Sequence, residues 1–160
     1  MFVYSVKSKQ IKLFLLVAFV LVTAVCLFVL ARDSRETAKD GNPTLKASSH
    51  SERMAFISQY GWEVDEEPVE VCEVIIPAEF DDTYTKYNEI QKGQGFDLSA
   101  YAGMRVKRWT YSVKNYTGYE NQNCIRINML VYDGLVIGGD VCSIELNGFM
   151  HGFSMPKTDS

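Results

Sequence analysis

Nineteen consecutive residues, Leu13 to Ala31 (LFLLVAFVLVTAVCLFVLA), carry no charge and a single polar side chain, Thr23. As a helix this run spans about 28 Å, close to the ~30 Å hydrocarbon core of a bilayer. The sequence therefore predicts a transmembrane helix over 13–31, which sets where every later residue works. Lys7, Lys9 and Lys12 precede the run and Arg32 and Arg35 follow it, so the bias of positive charge across it is slight. The short tail argues instead for the N-terminus inside. Residues 1–12 are too short for a domain and read as a cytoplasmic tail, and the bulk of the protein lies beyond the span. The economical reading is an uncleaved signal-anchor in the cell membrane, single-pass, with an extracytoplasmic C-terminal domain. A cleaved secretion signal is the alternative, because Val29-Leu30-Ala31 presents small residues where a signal peptidase cuts, although the run exceeds the roughly 7–15 residues of an ordinary signal core. A lipoprotein site at Cys26 does not fit, since Val25 stands where a small residue is needed.

Charge separates the two parts of the chain. The first 53 residues carry a formal +4, whereas residues 54–160 hold 16 acids against 8 bases, a net −8. An acidic outer domain argues against a nucleic-acid partner and against electrostatic docking on an anionic surface. About 100 residues form one core and are too few for two. Three cysteines lie outside the apolar run, Cys72, Cys124 and Cys142, an odd number that implies no disulfide framework.

Residues 32–48 lack apolar periodicity and contain Gly41-Asn42-Pro43, the composition of a flexible stalk. A domain is expected over 49–153, followed by a tail, 154–160. Ser49 with Glu52 makes a capping box for a short helix whose apolar side is Met54, Phe56, Ile57 and Tyr60, stopped by Gly61. Val69–Ile76 is β-branched and alternating, hence a strand. Pro77 opens a second helix with acids in its first turn, Lys86 and Lys92 near its end and Gly93 beyond, and Phe80, Tyr84, Tyr87 and Ile90 at helical spacing for the core. Residues 93–103 form a loop with one helical turn at Asp97–Tyr101. Three strand-like runs follow, 104–115, 123–132 and 135–146, the last two joined by Asp133-Gly134, whose two residues accept the positive φ of a type I′ turn. The expected fold is α+β: helix, strand, helix and a three-stranded meander, with the helices packed on one face of an antiparallel sheet.

A two-residue turn at Asp133-Gly134 sets the register, placing Cys142 opposite Ile125 and Asp140 opposite Ile127, with Cys124 and Cys142 on opposite sides. A disulfide between those cysteines needs a one-residue slip, which Gly138-Gly139 can supply as a bulge. Three residues are candidates for a site. Asp140 is an acid in an apolar strand, at a sheet edge, paired, or in a site. His151, in Gly148-Phe149-Met150-His151-Gly152, is one of two histidines. Arg126 alternates with Ile125 and Ile127 and equally suits a solvated strand face. Cys142 with His151 and Asp140 forms a catalytic group only if the three meet in space. His50 and His151 make no pair at metal-ligand spacing, so no metal and no cofactor are expected. Arg105, Lys107 and Arg108 beside Trp109 and Tyr111 read as a solvated strand face with local salt bridges. No phosphate-binding loop, nucleophile elbow or paired Cys-x-x-Cys is present.

Tyr60-Gly61-Trp62-Glu63-Val64, Ile76-Pro77, Tyr87-Asn88 with Gln91, Gly95-Phe96-Asp97-Leu98-Ser99, Val131-Tyr132-Asp133-Gly134, Ile137-Gly138-Gly139-Asp140 and the Gly148 to Gly152 segment together resemble a family of small single-pass membrane proteins of Gram-positive, mostly spore-forming bacteria, defined only as a domain of unknown function. The likeness covers about residues 52–153. It implies an anchored bacterial protein and assigns no functional residue. The expected function is an extracytoplasmic binding or interaction module for a protein or cell-envelope partner, without intrinsic catalysis. Two alternatives stand beside it: a small hydrolase or thiol redox enzyme built on Cys142, His151 and Asp140, and a structural subunit of a membrane complex.

Overall fold

The computed structural model describes residues 44–120 and 122–156. The Leu13–Ala31 run lies outside these, and among the described residues no helix is long and apolar enough to cross a membrane.

The elements run α1 (His50–Ser58), β1 (Glu70–Ile75), α2 (Asp82–Gly93), a 3-10 turn (Leu98–Tyr101), β2 (Arg105–Ser112), β3 (Ile125–Tyr132), β4 (Leu135–Ser143) and β5 (Met150–His151). The class is α+β, and the sheet is antiparallel with five strands in sequence order. Local chemistry starts each helix. The Glu52 N–H donates to the Ser49 hydroxyl while the Ser49 N–H donates to the Glu52 carboxylate at 2.9 Å, completing the capping box. That backbone bond holds the Glu52 carboxyl below its ordinary range. For α2 the cap is Asp81, which accepts from the Tyr84 N–H at 2.7 Å, so the helix begins at Asp82 rather than at Pro77. Asp133 and Gly134 take φ values of 48° and 75°, as a type I′ turn requires.

Three expectations give way to the structure. First, the helices do not share a face. Along β3, Ile125, Ile127, Met129 and Val131 point to one side and pack with Phe56 and Ile57 of α1, Trp62 and Phe153. Leu130 points to the other side, where it joins Val106, Ile137 and Leu98 under Phe80, Tyr84 and Tyr87. A central strand that is apolar on both faces needs cover on both, and each short helix supplies one layer. Second, the register slips. Tyr132 and Val131 face Leu135 and Val136 as the turn dictates, but Leu130 faces Gly138, leaving Ile137 as an extra residue. Beyond this bulge Asp140 stands opposite Asn128, not Ile127, and Cys142 opposite Arg126, not Ile125. Cys72, Cys124 and Cys142 are all free thiols, so the slip occurs without a disulfide. Third, residues 44–48, read from sequence as the end of the stalk, lie against the sheet. Lys46 pairs with Leu135, the Ala47 N–H donates to Gly134 at 2.8 Å, and Ala47 is buried. Lys46 and β5 together cover both ends of β4.

Candidate functional site

Asp140 is brought into a polar network by the bulge. On the α2 side of the sheet its carboxyl accepts from the Tyr87 hydroxyl and from Asn128 Nδ2, each at 2.9 Å, and from the Cys142 thiol. Asn128 in turn accepts from the Thr110 hydroxyl at 2.8 Å. Asp140 is only 3 % exposed, and burial raises its pKa, with the bonds from Asn128 and Tyr87 opposing the rise. Burial and the neighbouring carboxyl push the Cys142 thiol up to about 11. The same two causes, burial first, raise the Tyr87 hydroxyl. A thiol of that pKa is protonated at neutral pH and is a poor nucleophile.

These shifts set a sign for pH dependence. Between the ordinary value near 3.8 and the higher folded value, the native carboxyl keeps a proton that the unfolded chain has released. Stability from this residue is therefore full below the ordinary value and is lost as pH rises through the folded value, at no more than about 1.4 kcal/mol per pH unit for one proton. Asp140→Asn removes the titration, and Asn128 can turn its amide to answer the new donor. The expected result is that wild type loses stability relative to this variant as pH rises above the ordinary carboxyl value in parallel denaturant melts; a constant difference contradicts the assignment.

Arg126 holds the end of the same face. Its Nη1 donates to the Ile125 and Asn123 carbonyls at 3.0 and 3.1 Å and approaches the Ser112 hydroxyl at 3.3 Å. It is tied to the end of the strand and is only partly solvated.

His151 lies elsewhere. It pairs with Val141, whereas Cys142 pairs with Met150, so His151 and Cys142 project to opposite faces. Its Nδ1 donates to the Gly152 carbonyl at 2.6 Å, leaving Nε2 to accept from the Tyr116 hydroxyl at 3.1 Å. Phe149 stacks on the imidazole at 14°, and Tyr116 stacks on Trp62 at 9°. The histidine belongs to an aromatic cluster, and the sheet separates it from Cys142 and Asp140. The catalytic grouping drawn from sequence does not assemble.

The Arg105–Tyr111 run, expected to be a solvated strand face with local salt bridges, forms those bridges and also borders a groove. On the α1 side, between Ser48 and β1, this open groove of about 420 Å³ is lined by Glu73, Lys107, Trp109, Val131 and Asp133. Arg53 of α1 fixes its floor: the guanidinium lies 3.6 Å from the Trp109 ring centroid and donates to the Tyr111 hydroxyl, the Ala47 carbonyl and the Ser48 carbonyl at 3.0–3.1 Å. Of the two bases that β2 places on this face, Arg105 is engaged with Glu73 at 3.1 Å, whereas Arg108, paired with Glu70 at 2.6 Å, lies on the α2 side. Lys107 makes no ion pair among the described residues. The alternation of Arg105, Lys107, Trp109 and Tyr111 was the available signal, since period two puts all four on one face. The position of Arg53 had none, because its partners are distant in sequence.

In the polar network Cys142 meets Asp140, but with its thiol pushed up to about 11 it stays protonated, and His151 is not there to activate it. Among the described residues no cluster of three or more histidine, cysteine or acidic side chains could hold a metal ion. No curated protein and no solved structure matches the chain. A family model described as a domain of unknown function, DUF4830, matches residues 56–141, from Phe56 in α1 through the Asp140 network to Val141. By that match over more than half its length, the chain belongs to the DUF4830 family.

Proposed function

We propose that this protein is a membrane-anchored binding module of a Gram-positive cell envelope, held by residues 13–31 with its domain on the extracytoplasmic side, and that it works by docking a protein partner rather than by catalysis. The observation that carries this reading is the groove beside Trp109. Trp109 and Val131 give it an apolar floor, and Arg53 holds the indole in place. Lys107 at its edge is a cation without a partner among the described residues. This combination suits a polypeptide segment that brings an apolar side chain to the floor and a carboxylate to Lys107. Trp109 is already oriented, so a ligand does not bear the cost of ordering it.

The test is affinity capture of the tagged full-length protein from detergent-solubilised membranes, compared with two single variants. Lys107→Glu reverses the charge at the groove, while Glu89→Lys changes an exposed residue of α2 on the opposite face. Expected is at least a fivefold loss of the captured species with Lys107→Glu and no change with Glu89→Lys. Equal capture by wild type and Lys107→Glu overturns the groove as the docking site.

A further inference from the structure

The two edges of the sheet are treated differently. Lys46 and β5 lie along the outer side of β4, but among the described residues nothing pairs with the outer side of β1. This edge is six residues long, contains no proline and no bulge, and carries exposed Val71 and Ile75, with exposed Val69 immediately before it. A long open edge with outward apolar side chains is a template for another strand.

We infer that β1 pairs antiparallel with β1 of a second copy of this chain, in the register that sets Cys72 opposite Cys72. The register follows from symmetry and charge. A two-fold axis perpendicular to the sheet keeps each face continuous, so a residue can oppose only residues of its own parity. Two such registers overlap five residues of the strand. One centres on Glu73 and sets two carboxylates directly opposite each other, which is destabilising. The other centres on Cys72 and pairs Glu70 with Val74 and Val71 with Glu73, with no like charges opposed; Val69, just before the strand, donates its N–H inward to the Thr110 carbonyl at 2.8 Å and takes no part. Asp65, outside the strand, is already paired with Lys114 at 2.8 Å.

The backbone agrees with this choice. The Ile76 N–H donates inward to Met104 at 2.9 Å, so by alternation Val74 and Cys72 also bond inward to β2, and Val71, Glu73 and Ile75 turn their N–H and C=O groups outward. Val71 and Glu73 are then a hydrogen-bonded pair across the axis. The two Cys72 residues occupy a non-hydrogen-bonded site, where Cα atoms approach to about 4.5 Å, within the range that a disulfide spans. In the resulting ten-stranded sheet the two grooves lie on the same face, on either side of the axis. The pairing uses the strand edge and goes beyond the docking proposed above, which uses the groove.

The experiment is oxidative cross-linking of the full-length protein in membranes with copper–phenanthroline. Two Cys72 thiols each release a proton to solvent and one electron to a Cu(II), two Cu(II) becoming Cu(I), and the two sulfurs form one S–S bond. On non-reducing gels a dimer band is expected in wild type and in Cys142→Ser, and not in Cys72→Ser. Two exposed-site variants test the register. Val71→Glu sets a carboxylate against the partner's Glu73 and should reduce the band at least fivefold, whereas Val71→Lys sets an ammonium there and should retain it. A dimer that persists in Cys72→Ser, or equal behaviour of the glutamate and lysine variants, overturns the inference. Lys107→Glu should lose partner capture and keep the cross-link, which separates this proposal from the groove.

Discussion

Replacing Arg53 by alanine is expected to destabilise the domain by about 3 kcal/mol. Arg53 is 6 % exposed, and its hydrogen-bond partners are neutral: the Tyr111 hydroxyl and the carbonyls of Ala47 and Ser48. Truncation strands the buried Tyr111 hydroxyl and Ala47 carbonyl, at roughly 1–3 kcal/mol for each group left unsatisfied, while the exposed Ser48 carbonyl turns to water, and it removes a stacked cation–π contact worth roughly 1–2 kcal/mol. For a domain of this size the melting temperature should fall by roughly 12 °C or more. Lysine keeps the charge but has no planar fork to reach three acceptors and cover an indole, so Arg53→Lys should fall between wild type and alanine. A change of under about 1 kcal/mol in Arg53→Ala contradicts this role for the residue.

Gly139→Ala should be at least as damaging, at about 4 kcal/mol, through backbone rather than side-chain chemistry. Gly139 has φ +153°, a conformation that side chains rarely adopt, and a Cβ there runs into the Asn128 carbonyl oxygen and the Phe153 ring. Strain and overpacking each cost roughly 1–3 kcal/mol. The backbone of this glycine also joins the layers. Its N–H donates to Gln91 at 2.7 Å, its carbonyl accepts from Gln94 at 3.0 Å, and Gln94 accepts from the Phe153 N–H at 2.6 Å. The internal control is Gly93→Ala in α2. No atom lies within 4 Å of a Cβ at that position, so alanine should raise stability by roughly 0.5–1 kcal/mol through helix propensity. Calorimetry of the three proteins checks both signs at once.

Most of the local architecture was legible in the sequence because its causes are local. Ser49 with Glu52, the acids near the start of α2 and Asp133-Gly134 act within a few residues, and all three formed the structures their chemistry favours. The Asp97 turn formed as well, with Asp97 accepting from the Ser99 N–H. The failures share a non-local origin. The slip at Ile137 depends on Gly139 fitting against Phe153 and Gln91, which arrive from residues 153 and 91, and a one-residue slip changes every cross-strand partner beyond it. That single event moved Asp140 from a partner it could not use, Ile127, to Asn128, which satisfies it. Tyr87, read as a core aromatic, gained its polar role by the same shift. The side of the sheet taken by each helix was also not legible, since an amphipathic stripe says that a face is buried but not against what. His151 was separated from Cys142 by alternation along β5, a strand too short to show periodicity.

The proposed function requires the domain to work outside the membrane while still attached to it. Protease added to intact protoplasts, with N-terminal sequencing of the membrane-bound protein, measures both properties in one preparation. The predicted result is digestion of the domain from outside, together with a mature N-terminus upstream of Leu13. A domain that stays protected until the membrane is opened, or a mature protein beginning at Arg32, contradicts it.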